Sequence, residues 1–258
     1  MKNVLAILFA TTALSLVALP HAYAQVALSA AEEAQIGALP AALQTAIRAR
    51  VAGLTPAQVQ AVLSLPAASI EKLAALTPAQ FTNVAALPPA ALANVTSLPP
   101  ASLTVMADLP PNQLAATSTL PVAQLEVVTQ LPVAERTAIV SAVTTVKAEA
   151  LAGNVANVAA AITTLNTATS VLGAGKAAFA VSVAQDLQAV TADVAPTSTV
   201  RGVAAATITG LTQVAIRAGA TEEQITTLAQ AATTTQAQAT AVSIGAIDLD
   251  DQGSGTNA

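Results

Sequence analysis

Leucine returns at one spacing through the first half of the chain: Leu28 and Leu39, then, after four inserted residues, Leu54, Leu65, Leu76, Leu87, Leu98, Leu109, Leu120 and Leu131, each eleven residues after the last. A proline stands within two positions after nine of these ten leucines, so the pattern reads as a tandem array of short units. Eleven residues in three turns could describe one long, right-handed supercoiled helix. The prolines forbid it, because each would remove a backbone donor and clash with the preceding turn at a cost of about 3 kcal/mol. The expected unit is a short helix, a break and another short helix.

The break also starts the next helix. In Leu54-Thr55-Pro56-Ala57-Gln58-Val59 and Leu76-Thr77-Pro78-Ala79-Gln80-Phe81 the threonine is placed to cap. The proline takes the first helical position and the glutamine closes a capping box. Ser29 and Glu32 repeat the design without proline. The units at Leu87, Leu98 and Leu109 read Leu-Pro-Pro, which drives the leucine out of helical dihedrals and makes a firm stop. Helices of about eight residues, roughly 12 Å long, cannot persist alone in water and must stack. The stacking face is the sixth position (Val59, Ile70, Phe81, Leu92, Leu103, Leu114, Leu125) with the ninth (Val62, Leu73, Val84, Val95, Met106, Thr117, Val128). Thr117 softens one ninth position, and Arg136 occupies the sixth position of the last unit, where the array yields to another arrangement.

Residues 54–62, Leu-Thr-Pro-Ala-Gln-Val-Gln-Ala-Val, resemble the first helix of the DNA-reading repeats of TAL effectors, which begin with a similar Leu-Thr-Pro-x-Gln-Val run. The likeness covers nine residues of a unit much shorter than that family's, and shared helix-start chemistry accounts for it. It implies a helix start and carries no function, because the basic charge of that family is absent.

The longer second unit, residues 39–53, carries Arg48 and Arg50 close to a stop at Ala52-Gly53, where cations favour the helix dipole. From residue 133 to 195 there is no proline. Leu151, Val155, Val158, Ile162, Leu165, Thr169 and Leu172 keep heptad spacing, with Gly153-Asn154 as a candidate early break. After a turn at Gly173-Ala174-Gly175 a second stripe follows with Phe179, Val183, Leu187, Val190 and Val194. Two more helices are expected at 200–217 and 222–239, the last opening with a capping box at Thr221 and Gln224. No charge falls between Glu149 and Lys176, but Gly153, Asn154, Asn157, Asn166 and five threonines or serines point to a packed Ala/Thr helix rather than a lipid-facing span.

The expected fold is therefore all-α: a leader at 1–24, a solenoid-like array of eleven-residue units at 25–141, an Ala/Thr-rich helical bundle at 142–244 and a disordered acidic tail at 245–258. The leader has Lys2, an uncharged apolar run at 4–19 and the small-residue site Ala22-Tyr23-Ala24, the layout of a secretory signal peptide. Export to the periplasm or the extracellular space of a bacterium is the expectation. In the tail, Asp248, Asp250 and Asp251 open like a calcium loop, but no closing glutamate follows.

Without the leader the chain loses Lys2, His21 and Tyr23, leaving no His, Cys, Trp or Tyr and a formal charge of −6 from eight basic and fourteen acidic residues. An acidic chain with Phe81 and Phe179 as its aromatics lacks the cationic field and stacking platforms of nucleic-acid binding. Histidine, the usual acid–base group near neutral pH, is missing, as is a cysteine nucleophile or ligand. Glu32-Glu33, Glu222-Glu223 and Asp250-Asp251 are adjacent in sequence and so point apart on a helix. No catalytic, cofactor-binding or metal-binding residue is assigned. The expected function is non-catalytic protein interaction or scaffolding, with a protein or surface partner or self-association, no nucleic acid and no membrane span in the mature chain. The alternatives are a self-assembling component of a surface layer or matrix and, further off, a carboxylate-only hydrolase.

Overall fold

The computed structural model describes residues 28–193 and 197–243 of the 258 in the chain. The expected leader and acidic tail lie outside these residues, as does Val194 of the second stripe. Among the described residues the protein is all-α, with fourteen α-helices, one 3₁₀ turn and no strand.

The first nine helices are short. They are α1 (Ala30–Gly37), α2 (Ala41–Val51), α3 (Pro56–Leu63), α4 (Ala67–Ala74), α5 (Pro78–Ala85), α6 (Pro89–Ser97), α7 (Pro100–Ala107), α8 (Pro111–Thr117) and α9 (Val122–Gln130). Five longer helices follow: α10 (Val133–Leu151), α11 (Val155–Ala168), α12 (Gly175–Asp193), α13 (Ser198–Arg217) and α14 (Glu222–Ser243), with the 3₁₀ turn Thr169–Leu172 after α11.

Their boundaries follow the local chemistry. Thr55 and Thr77 accept from the backbone N–H of Gln58 and Gln80, and each glutamine accepts from the threonine N–H at 2.9 Å, so two otherwise orphaned donors are satisfied at once. The boxes at Ser29/Glu32 and Thr221/Gln224 are formed in the same way. Where Leu-Pro-Pro replaces the threonine, Pro88, Pro99 and Pro110 stand as N-caps near φ −55°, −56° and −51°, without a side-chain bond. Leu98, ahead of Pro99, is extended at ψ 154°, as the steric argument requires.

The sixth-position residues from Val59 to Leu125 and the ninth-position residues from Val62 to Val128 are all buried. Thr117 is buried too, its hydroxyl donating to the Gln113 carbonyl at 2.7 Å. The short helices pack on the next but one: α1 on α3, α2 on α4, α3 on α5, α4 on α6, α5 on α7 and α7 on α9, while α8 packs on α10. Burying one such side chain is worth roughly 1.5–3 kcal/mol before ordering costs, so each helix gains through its neighbours what it lacks in length.

In the longer helices the candidate break at Gly153-Asn154 is formed. The heptad stripe beginning at Leu151 is two helices. α10 ends there, Gly153 takes φ +70°, and the N–H groups of Gly153 and Asn154 bond back to the Ala150 and Glu149 carbonyls. That turn swings Val155 out to 66% exposure, whereas Val158, Leu165 and Thr169 stay buried. Gly219 ends α13 by the same device, at φ +84°. Gly53, by contrast, follows α2 without entering the left-handed region. α10 runs unbroken through residues 141 and 142, and the apolar core is continuous from Ile36 to Ala231.

Candidate functional site

Burial separates the charged residues. Arg48 of α2 pairs with Glu33 of α1 at 2.9 Å, with both side chains more than two-fifths exposed, so this bridge contributes little. Its partner in the motif, Arg50, has its Nη1 buried without a hydrogen-bond partner. Lys147 of α10 and Asp186 of α12 form a second pair at 2.6 Å, with 7% and 5% of the side chains exposed.

Three elements meet at that pair. α10 brings Lys147 at the spacing of Val140, Val143 and Ala150, so the lysine occupies an apolar position of the helix. α12 brings Asp186 between Val183 and Leu187, again within the buried stripe. The link between α8 and α9 supplies the Thr119 hydroxyl, which donates to Asp186 Oδ2 at 2.8 Å. Lys147 Nζ donates to Asp186 Oδ2, to Thr119 Oγ1 at 2.9 Å and to the Ala116 carbonyl at 2.7 Å. An ammonium has three donors, and all three are used. This Lys-Thr-Asp constellation resembles catalytic machinery by composition, but its lysine proton donors and its threonine proton are already committed. Its chemistry is that of a cross-tie.

Against the tie lies a groove of about 360 Å³, lined among others by Ala91, Asn94, Thr119, Asp186, Ala189 and Val190. Two further grooves, about 500 and 490 Å³, run between α13 and α14 and between α10 and α11. Thr209, Thr233 and Thr240 line the first, and Thr145, Thr163, Thr164 and Thr167 the second. Each of these threonines donates to a carbonyl one turn back, turning its proton into the helix. Both grooves are uncharged and built mainly of Ala and Thr.

Among the described residues no group of three or more His, Cys, Asp or Glu is placed to hold a metal. Glu32 lies in the α1 capping box, where the Ser29 backbone N–H, and then its hydroxyl, hold the carboxyl below the ordinary glutamate range. Glu222 and Glu223 occupy the first turn of α14, the end where acids favour a helix dipole. One stretch among the described residues, Val155–Leu172, is long and apolar enough to cross a membrane by length and composition. It changes to a 3₁₀ turn at Thr169, and α11 packs on α10 and α13.

The chain matches no protein-family model, no curated protein and no solved structure.

Proposed function

We propose that this protein is a non-catalytic interaction or scaffolding protein, exported from a bacterium, in which a solenoid-like array of short helices in eleven-residue units leads into a helical bundle. The observation that supports the reading is the packing of most of the short helices on the next but one, which lets units too short to fold alone stabilise one another. The saturated Lys147–Asp186–Thr119 tie supports it, since the buried charges are spent on joining helices. In-cell crosslinking of the exported protein, followed by mass spectrometry, tests this. A partner crosslinked reproducibly through residues 28–131 is the expected result. A monomer with no crosslinked partner at native concentration would overturn it.

A specific observation favours self-assembly as a second reading. The Val155–Leu172 stretch is only 22% buried, carries no charge, and exposes Val155 and Val171 at 66% and 45%. Sedimentation equilibrium tests it: mass rising with concentration supports a self-assembling component, and a monomer throughout removes it.

A further inference from the structure

The eleven-residue units are so alike that apolar packing alone leaves the offset between stacked helices poorly determined. Positions six and nine are both apolar and lie one turn apart, so sliding a helix by one turn sets similar surfaces against each other. Something must select one offset.

Two side chains are placed to do so. Lys72 of α4 stands at position eight of the unit beginning at Leu65, and Asn94 of α6 stands at position eight of the unit beginning at Leu87. Lys72 Nζ donates to the carbonyls of Thr96, Ser97 and Leu98, at 3.0, 3.3 and 2.7 Å, across the end of α6. Asn94 Nδ2 donates to the carbonyls of Ser118 and Leu120, at 2.7 and 2.6 Å, across the end of α8. The sequence separations coincide: 24 and 26 residues in both cases. The carbonyls are available because proline follows. Pro99 and Pro100, and Pro121 after α8, bring no N–H that could close the helix end. Lys147 of α10 adds a third donor to the end of α8 through the Ala116 carbonyl, and Asp186 of α12 anchors it.

We propose that Lys72 and Asn94 are a register device: each reads carboxyl-terminal carbonyls two helices further on, and so fixes the offset of α4 on α6 and the place where α6 meets the end of α8. Donor and acceptors meet at one offset only, since a one-turn slide of about 5.4 Å separates them beyond hydrogen-bond reach and strands a part-buried polar group. A single polar group that selects among nearly equivalent apolar packings is the best-attested use of polar residues in helical assemblies.

The full chain carrying Lys72→Met and Asn94→Leu, measured by circular dichroism and by amide nuclear magnetic resonance, tests the proposal. Helix content is expected to stay within a tenth of the parent, while amides of residues 65–120 split into two or more sets. Lys72→Arg with Asn94→Lys, which returns donors to both places, is expected to restore one set. A single set in the apolar double variant overturns the proposal, whatever its melting temperature, because the two groups would then be caps without a role in choosing the offset. If the double variant does not fold, Asn94→Leu alone decides. Splitting confined to residues 87–120 supports the device, and one set throughout overturns it.

Discussion

Replacing Asp186 by asparagine removes one charge at nearly constant volume, and the surroundings set what that costs. Lys147 retains the Ala116 carbonyl and the Thr119 hydroxyl as acceptors, but its ammonium, 7% exposed, loses the carboxylate 2.6 Å away. Breaking a buried pair by removing one partner costs about 3–5 kcal/mol, because the remaining charge is neither hydrated nor compensated. A domain's whole stability is about 5–15 kcal/mol, so this one atom exchange removes a large share. In urea, with a slope of about 2–3 kcal/mol per molar, the midpoint should fall by about 1–2.5 M. Removing both partners, as Lys147→Met with Asp186→Leu, leaves no stranded charge and should come within about 1 kcal/mol of the parent, giving a large coupling energy in a double-mutant cycle. The exposed Arg48–Glu33 pair is the internal comparison: Glu33→Gln should cost no more than about 1 kcal/mol. Equilibrium urea unfolding followed by circular dichroism measures the parent, these three variants, and the single variants Lys147→Met and Asp186→Leu that complete the cycle. Equal small losses for Asp186→Asn and Glu33→Gln would refute the reasoning, since burial would then make no difference to the pair.

Three other outcomes follow from the packing and the caps. Leu92 is fully buried in α6, so Leu92→Ala should cost about 2–5 kcal/mol in the same assay, and Leu92→Asp or Leu103→Asp should abolish cooperative helix melting. Gly219→Ala has free space but must hold φ +84°, at a cost of about 1–2 kcal/mol, whereas Gly53→Ala, with equal space and no left-handed backbone, should be neutral or mildly stabilising; equal losses would argue against the Gly219 turn. The folded-state pKa of Glu32 is lowered, so its capping contribution is complete above the ordinary glutamate range and fades as pH falls through the depressed value. A carbon-detected titration should place the Glu32 midpoint below that range, and Ser29→Ala, which removes the hydroxyl but keeps the backbone N–H, should bring it only part of the way back.

The short helices were legible because proline, threonine and glutamine act locally. Thr55, Pro56 and Gln58 fall within four residues, and the bonds that they form follow from spacing alone. The apolar stripe was legible for the same reason, down to the buried Thr117 in a ninth position. The cross-tie was not, because Thr119, Lys147 and Asp186 are separated by 28 and 39 residues, and only tertiary packing joins them. A signal was present all the same. Lys147 and Asp186 are charges standing at apolar positions of their stripes, and a charge there needs a partner. The break after Leu151 was legible as Gly153-Asn154, but the exposure of Val155 was not. Heptad spacing continues across Gly153, but the left-handed turn breaks the helix and places Val155 in solvent, so periodicity outlasted the structure that it normally reports. Arg136 departs from the sixth-position pattern because its guanidinium donates to the Thr129 and Leu131 carbonyls, serving the end of α9 instead of the core.

The claim beneath all of this is that proline-interrupted short helices fold back to pack on the next but one. Gln80 and Asp108, 28 residues apart, touch through a 2.7 Å hydrogen bond from Gln80 Nε2 to Asp108 Oδ1. The chain has no cysteine of its own, so Gln80→Cys with Asp108→Cys accepts two nitroxide labels and no others. Electron-electron double resonance should give one narrow, short interlabel distance. A continuous helix would instead separate these positions by about 42 Å, and a distribution centred near that value would contradict the account.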